Sequence, residues 1–220
     1  MTAQKPDIDK LPAEIPIFPL KRVVLLPHTS LPLNIFEPRY LAMTNDAMAH
    51  GRLIGMIQPR EDGQLFTTGC AGRITSFAET DDGRYQITLK GVCRFHLIEQ
   101  MPEQTGGFLR ARVDWQSFTQ DLAPESTVDV CRDAMMQTLR VYLDKMGMLC
   151  DQWDNMRSIS CERLVSTLAV ICPFGANEKQ MLLEARDLPA RMKILHALLH
   201  EEIGRPAEEM GECPKGKTCH

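Results

Sequence analysis

Apolar residues recur at every second position through the middle of the chain and at every third or fourth position towards its end. The cleanest alternation is at 84–89, with Tyr85, Ile87 and Leu89 on one side and Arg84, Gln86 and Thr88 on the other. Leu109, Ala111, Val113 and Trp115 alternate in the same way with Arg110, Arg112 and Asp114. Successive strand side chains point to opposite faces, so both segments are predicted as half-buried strands. Residues 53–57 read as a buried strand. Residues 67–79 read as a long strand bent at Gly69 and Gly72. Asp82-Gly83 supplies a hairpin turn. Gly91 is expected to interrupt, and residues 92–98 to resume as a separate strand.

Residues 15–40, IPIFPLKRVVLLPHTSLPLNIFEPRY, carry Pro16, Pro19, Pro27, Pro32 and Pro38. Proline fixes φ and lacks a donor, so it is not expected inside a central ladder or a helix. The apolar pieces at 17–18, 23–26 and 33–36 are therefore predicted as brief β segments. Pro38 suits the first turn of a helix. Tyr40, Met43 and Ala47 share a helical face, which predicts a helix over about 38–50 with Gly51 as its positive-φ cap.

The helical period returns after residue 120. Val128, Cys131, Met135, Leu139, Tyr142, Met146 and Leu149 recur at three and four, which predicts an amphipathic helix of roughly 33 Å. Ser160 is a candidate N-cap for a helix carrying Leu164, Val165, Leu168 and Ala169, stopped by Pro173 and Gly175. Asn177 and Gln180 resemble a capping box. Asp187 caps a last helix with Met192, Leu195, Leu199 and Ile203 along one face. Strands followed by helices give an α+β class: an antiparallel β-barrel or sandwich with one inserted helix, then a C-terminal helical bundle. The divisions expected are a flexible segment 1–14, a β domain 15–120, a helical subdomain 121–205 and a flexible tail 206–220.

Composition narrows the function. The 220 residues hold 25 Lys and Arg against 29 Asp and Glu, a net charge of −4. That balance gives no general attraction to nucleic acid or anionic lipid. No apolar run reaches signal-peptide or membrane-spanning length, so a cytoplasmic protein is expected. The eight cysteines include no Cys-x-x-Cys pair and sit mainly in apolar settings, so they read as small buried hydrophobes.

Three features invite chemistry and fall short of it. Residues 211–218 fit the phosphate-loop pattern through Gly211, Gly216, Lys217 and Thr218. Such a loop needs a strand before it and a helix after it, and only Cys219 and His220 follow. The match reads as coincidental, and no nucleotide or other cofactor is expected. Cys213, Cys219 and His220 read as a solvated tail rather than a metal site. His196 and His200 share a helix face but lack a third ligand and the internal Glu of a zinc-protease helix, so no metal is expected. No Gly-x-Ser-x-Gly elbow occurs. No catalytic residue is assigned, and the chain reads as a non-enzyme.

The segment IPIFPLKRVVLLPHTSLPLNIFEPRY, followed by RLIGMI, GCAGRI and GRYQITLKGVCRF, resembles the Lon substrate-binding domain. The helical stretch ERLVSTLAVICPFGANEKQMLLEARDLPARMKILHALLHEE is similar to the helices that follow it in that family. The resemblance implies a PUA-like β-barrel with a helical bundle. It also implies a free-standing bacterial member, because the chain ends where the ATPase and protease modules of Lon begin. The implied function is non-catalytic: binding unfolded or exposed apolar protein segments, as an adaptor in protein quality control. Implied partners are proteins or unfolded polypeptides and a separate protease, with no membrane. PUA-like barrels elsewhere bind RNA, which leaves an RNA-binding alternative carried by Arg110 and Arg112, although the net charge opposes it. Peptide-binding candidates are Phe18, Leu31, Leu33, Phe36 and Tyr40, beside a charged helix-start pair, Glu37 and Arg39. Within this stretch Pro32 and Phe36 are expected to serve stability, and Tyr40 to line a groove.

Overall fold

A computed structural model of the chain describes residues 8–125, 132–147, 156 and 158–204. Six strands come first: β1 (Glu14–Pro19), β2 (Ser30–Ile35), β3 (Leu53–Ile57), β4 (Thr68–Glu79), β5 (Tyr85–Gln100) and β6 (Leu109–Asp114). Helix α1 (Pro38–Ala49) lies between β2 and β3. Among the described residues, four further α-helices follow: α2 (Arg132–Lys145), α3 (Cys161–Ile171), α4 (Ala176–Glu184) and α5 (Leu188–Gly204). The predicted residues Val128, Cys131, Leu149 and the tail motif lie outside the described residues.

The strands pair in the order β2-β5-β4-β3-β1-β6, and β6 also pairs with β5. The ladder β5-β4-β3-β1-β6 therefore returns on itself. The 16 residues of β5 make this possible. Its first half pairs with β2 and its second half with β6, both along one edge. The sheet is mixed rather than antiparallel, because β1 and β3 run parallel, with Ile17 opposite Gly55. Parallel neighbours need a long crossover, and the connection through β2 and α1 provides it.

Prolines occupy strands that the sequence argued against. Ala13 O accepts from Val113 N, so alternate residues of β1 bond to β6 and Pro16 faces away from it. The β3 ladder begins only at Ile17, so no partner needs the missing Pro16 donor. The same alternation applies in β2. Gly91 N donates to Thr29 O, so Leu31, Leu33 and Ile35 exchange bonds with β5, while Ser30, Pro32 and Asn34 face the free edge. Pro32 thus removes a donor from an exposed strand edge, where that donor would invite pairing with another chain.

Two local expectations are corrected. Residues 23–26 form no strand. Val24, Leu25 and Leu26 are buried in a loop closed by Thr29, whose Oγ1 donates to Leu26 O at 2.7 Å. Gly91 does not interrupt β5. It lies inside the strand, and a Cβ there would sit 2.0 Å from the Leu26 carbonyl oxygen. The glycine lets that loop cross directly over the strand. Gly72, by contrast, does mark a register shift of β4 against β5.

The helix caps follow the sequence in two cases out of three. Ser160 Oγ accepts from Arg163 N at 3.0 Å, and Asp187 Oδ1 accepts from Ala190 N at 2.8 Å. Asn177 and Gln180 form no capping box. The N-cap of α4 is Gly175, against which the Glu178 carboxylate folds back. Gln180 is buried and joins the two halves of the chain instead. Its Nε2 donates to Thr68 O at 3.0 Å, and its Oε1 accepts from Gln58 Nε2 at 3.1 Å.

One apolar cluster runs through strands and helices, from Phe18, Ile54 and Cys70 to Leu164, Leu182 and Leu195. Its polar join is built on Arg94. This guanidinium is 2% exposed and grips Asp121 with two bonds of 2.8 Å. Nη1 also donates to Leu183 O at 3.0 Å and Ala185 O at 2.6 Å. Arg191 Nε donates to Leu182 O at 3.0 Å. The last carbonyls of a helix have no intrahelical partner and carry its negative dipole end. Two buried arginines therefore cap the C-terminus of α4. Burial first, and Arg94 second, push the Arg191 pKa down to about 10.

Lys179 is also buried, with Nζ donating to Val170 O at 2.5 Å. Burial, the largest cause, lowers its pKa from 10.5 to about 8. Between those values the unfolded chain holds a proton that the folded chain has lost, so stability rises with pH there. Relative to Lys179→Met, the wild-type chain is expected to gain about 3 kcal/mol as pH rises through that window. Urea unfolding of both proteins at several pH values checks this. Parallel curves would remove the assignment.

Candidate functional site

The β2-β5-β4 end of the sheet has an apolar face with a gradient of exposure. Direct pairing puts Leu31, Leu33 and Ile35 beside Leu89, Ile87 and Tyr85, and these beside Ile74 and Phe77 of β4. Ile35, Ile74, Ile87 and Leu89 are buried. Leu31, Leu33 and Tyr85 are half-buried, and Phe77 is 39% exposed. Phe77 meets Tyr85 edge-on, with ring centres 4.9 Å apart. Helix α1 approaches from the side, where Asn45 Nδ2 donates to the Tyr85 hydroxyl at 3.3 Å. Leu31, Leu33, Tyr85 and Phe77 thus form a strip across three strands.

Phe36 follows the last residue of β2 and is 61% exposed. The Arg84 guanidinium stands 5.9 Å from its ring centre. Arg84 alternates with Tyr85, so Phe36 flanks the strip rather than extending it. An aromatic ring this exposed has a large apolar area to offer a partner.

The other candidates behave differently. Phe18 and Tyr40 are 4% and 8% exposed, and their rings meet at a tilt with centres 4.2 Å apart in the core. Tyr40 lines no groove in this structure, because its position is on the inner face of α1. Pro32 and Phe36, expected to serve stability, are both exposed, the reverse of the expectation. Burial, the leading cause, holds the Tyr40 hydroxyl above its ordinary pKa. Glu37 is the N-cap residue of α1 but makes no side-chain cap bond. Its Oε2 accepts from Arg39 Nη2 at 2.7 Å and Nε at 3.0 Å. The Arg39 guanidinium also lies 4.6 Å from the Tyr40 ring centre. The pair covers the Tyr40 ring at the surface.

Sequence reasoning missed Phe77 and did not single out Tyr85 for binding. Tyr85 sat in a clear alternation. Phe77 carried no signal, since its place beside Ile87 and Tyr85 is set by the register of β4 against β5.

The remaining chemistry is mostly neutralised. Arg110 pairs with Asp46 at 2.7 Å, and Arg112 pairs with Glu14 and Glu99 at 3.1 Å each. Neither offers a free cation to a phosphate chain. Cys70, Cys93, Cys161 and Cys172 are buried, and Cys131, Cys150, Cys213 and Cys219 lie outside the described residues. Burial, before any charge, pushes the Cys93 thiol up to about 12 and the Cys70 thiol well above its ordinary value. Such thiols are poor nucleophiles. Among the described residues, no three His, Cys, Asp or Glu side chains converge as a metal set, and no helix is long and apolar enough to cross a membrane. A separate cleft of about 400 Å³ opens near Thr68, His96, Phe118 and Glu184. There His96 bonds Thr68 at 3.3 Å and stacks on Phe118 at 4.7 Å.

Comparison with known proteins places this architecture. Lon protease 2 of Myxococcus xanthus is 26% identical over 228 aligned residues, covering 95% of this chain and 26% of that protein. The Lon protease of Parabacteroides distasonis is 29% identical over 208 residues, covering 89% of this chain and 24% of that protein. The chain therefore spans about a quarter of the length of the curated relatives it matches. The Lon N-terminal domain protein from Xanthomonas campestris has the same fold, with TM-score 0.60 and 24% identity over 84% of this chain and 97% of that one. The N-terminal domain of Mycobacterium avium complex Lon protease superposes with TM-score 0.57 at 17% identity, over 86% and 98% of the two chains. A family model, the ATP-dependent protease La (LON) substrate-binding domain, matches residues 14–201, and the chain belongs to that family.

Proposed function

We propose that this chain is a non-catalytic protein-binding module that holds unfolded or exposed apolar polypeptide segments. The observation that carries the reading is the strip of Leu31, Leu33, Tyr85 and Phe77, flanked by Phe36, on a member of a substrate-binding family. Extended peptides with apolar side chains gain most from such a surface, because burial scales with apolar area. The chain acts as an adaptor in bacterial protein quality control, in the cytoplasm, presenting clients to a protease. In this reading the returning ladder of strands is a PUA-like barrel covering 15–120, and 121–205 is its helical subdomain. The ion-paired Arg110 and Arg112 give the RNA-binding alternative no support.

Anisotropy with a labelled, reduced and alkylated client protein tests this. The wild-type chain is expected to bind the unfolded client and not its native form. Phe77→Ser with Phe36→Ser should weaken binding about tenfold or more, since exposed aromatic anchors carry much of an interface's energy. Both side chains are surface residues, so Tm should change little. Absence of unfolded-client binding, or equal binding by the double variant, would overturn the proposal.

A further inference from the structure

We propose that His196 and His200 of α5, with Thr138 of α2, form a site for a late first-row divalent cation such as Zn²⁺ or Cu²⁺. The two rings lie on successive turns of one helix face. Their Nε2 atoms face each other at 3.3 Å. Two imidazole nitrogens bound to one zinc at about 2.0–2.1 Å, at the tetrahedral angle, stand about 3.3–3.4 Å apart. The hydroxyl of Thr138 lies 3.1 Å from His196 Nε2, close to the same edge length. Two edges that meet at His196 Nε2, joining donor atoms of two helices, therefore already have the length of edges of a coordination shell.

The surroundings favour a cation. His200 lies about one turn from the C-terminus of α5, towards the negative end of its dipole, and His196 stands at the middle of the helix. Lys145 Nζ already sits on the carbonyls of Glu202 and Ile203 at that end, at 3.3 and 2.6 Å. His200 is exposed and His196 half-buried, so an ion can enter from solvent, with water completing its shell. Imidazole is a preferred ligand for copper and zinc, whereas a lone hydroxyl is weak. The two histidines would supply most of the affinity, and Thr138 would tie the ion to α2.

The test uses the untagged full-length chain and its His200→Gln variant, with zinc chloride or copper sulfate as the probe. His200 is at the surface, so the variant keeps the fold. Cys213, Cys219 and His220 are common to both proteins, so the difference between them reports this site alone. With metal at about 100 times its Kd, Tm of the wild-type chain should rise by about 5–10 °C. The rise should shrink to about 5 °C or less in His200→Gln, whose affinity should fall by about 10-fold or more. The copper-loaded wild-type chain should show two-nitrogen hyperfine coupling in its paramagnetic resonance spectrum, and the variant one nitrogen or none. Equal Tm shifts in the two proteins, or identical spectra, would overturn the site. So would a Tm that metal leaves unmoved, which would make the 3.3 Å contact only a hydrogen bond between the two rings.

Discussion

Asp121→Ala is expected to destabilise the chain by about 3–5 kcal/mol, the range for breaking a buried ion pair from one side. The aspartate accepts three bonds from Arg94: backbone N at 3.0 Å, and Nε and Nη2 at 2.8 Å each. Removing it leaves a guanidinium that lies 4.6 Å from the Phe118 ring centre and is 2% exposed without its counter-charge. Arg94→Met should also be costly, for a different reason. It frees the Leu183 and Ala185 carbonyls at the end of α4 as well as the aspartate. Replacing both partners by apolar residues, which often restores stability when a pair stands alone, should therefore fall short here. A double-mutant cycle by urea unfolding measures this. A cost below about 1 kcal/mol for Asp121→Ala would mean that the join rests on the apolar cluster alone.

Gly91→Ala is expected to cost about 3–5 kcal/mol, far beyond the usual loss at a strand glycine. The added Cβ would meet backbone, the Leu26 carbonyl oxygen at 2.0 Å, so no side-chain rotation relieves it. Either β5 or the loop at 24–29 must shift, and His28 N donates to Gly91 O across the same crossing. Gly83→Ala is the internal comparison. Gly83 has φ of 76° with nothing near its Cβ position, so only local strain applies, and its loss should be nearer 1 kcal/mol. Thermal unfolding of the two variants orders them. A smaller loss at Gly91 than at Gly83 would contradict the crossing.

Much of the element list could be read from periodicity because the informative interactions are local. Tyr85, Ile87 and Leu89 alternate because one face of β5 is buried. Ser160 and Asp187 cap helices through bonds to residues three positions on. What stayed hidden depends on distant partners. Arg94 stands between Cys93 and Phe95 in an apolar strand, and its partners are 27 and 91 residues away. Gln180 looked like a capping residue, yet its bond to Gln58 spans 122 residues. The parallel β1–β3 pair was equally non-local. In the candidate site, Leu31, Leu33 and Phe36 are legible as possible contacts, whereas Tyr40, expected to line a groove, is buried, and Phe36, expected to serve stability, is exposed. The proline-rich stretch gives no period long enough to show which way a given side chain points.

The shared core also sets an order of events while the chain is being made. The strands leave the ribosome first, and Met56 and Cys70 must wait for Leu164 and Leu182 to complete their cluster. Until α4 emerges, Arg94 lacks its Leu183 and Ala185 carbonyls. For that interval the nascent protein displays the same kind of unfinished apolar surface that its mature form is proposed to recognise.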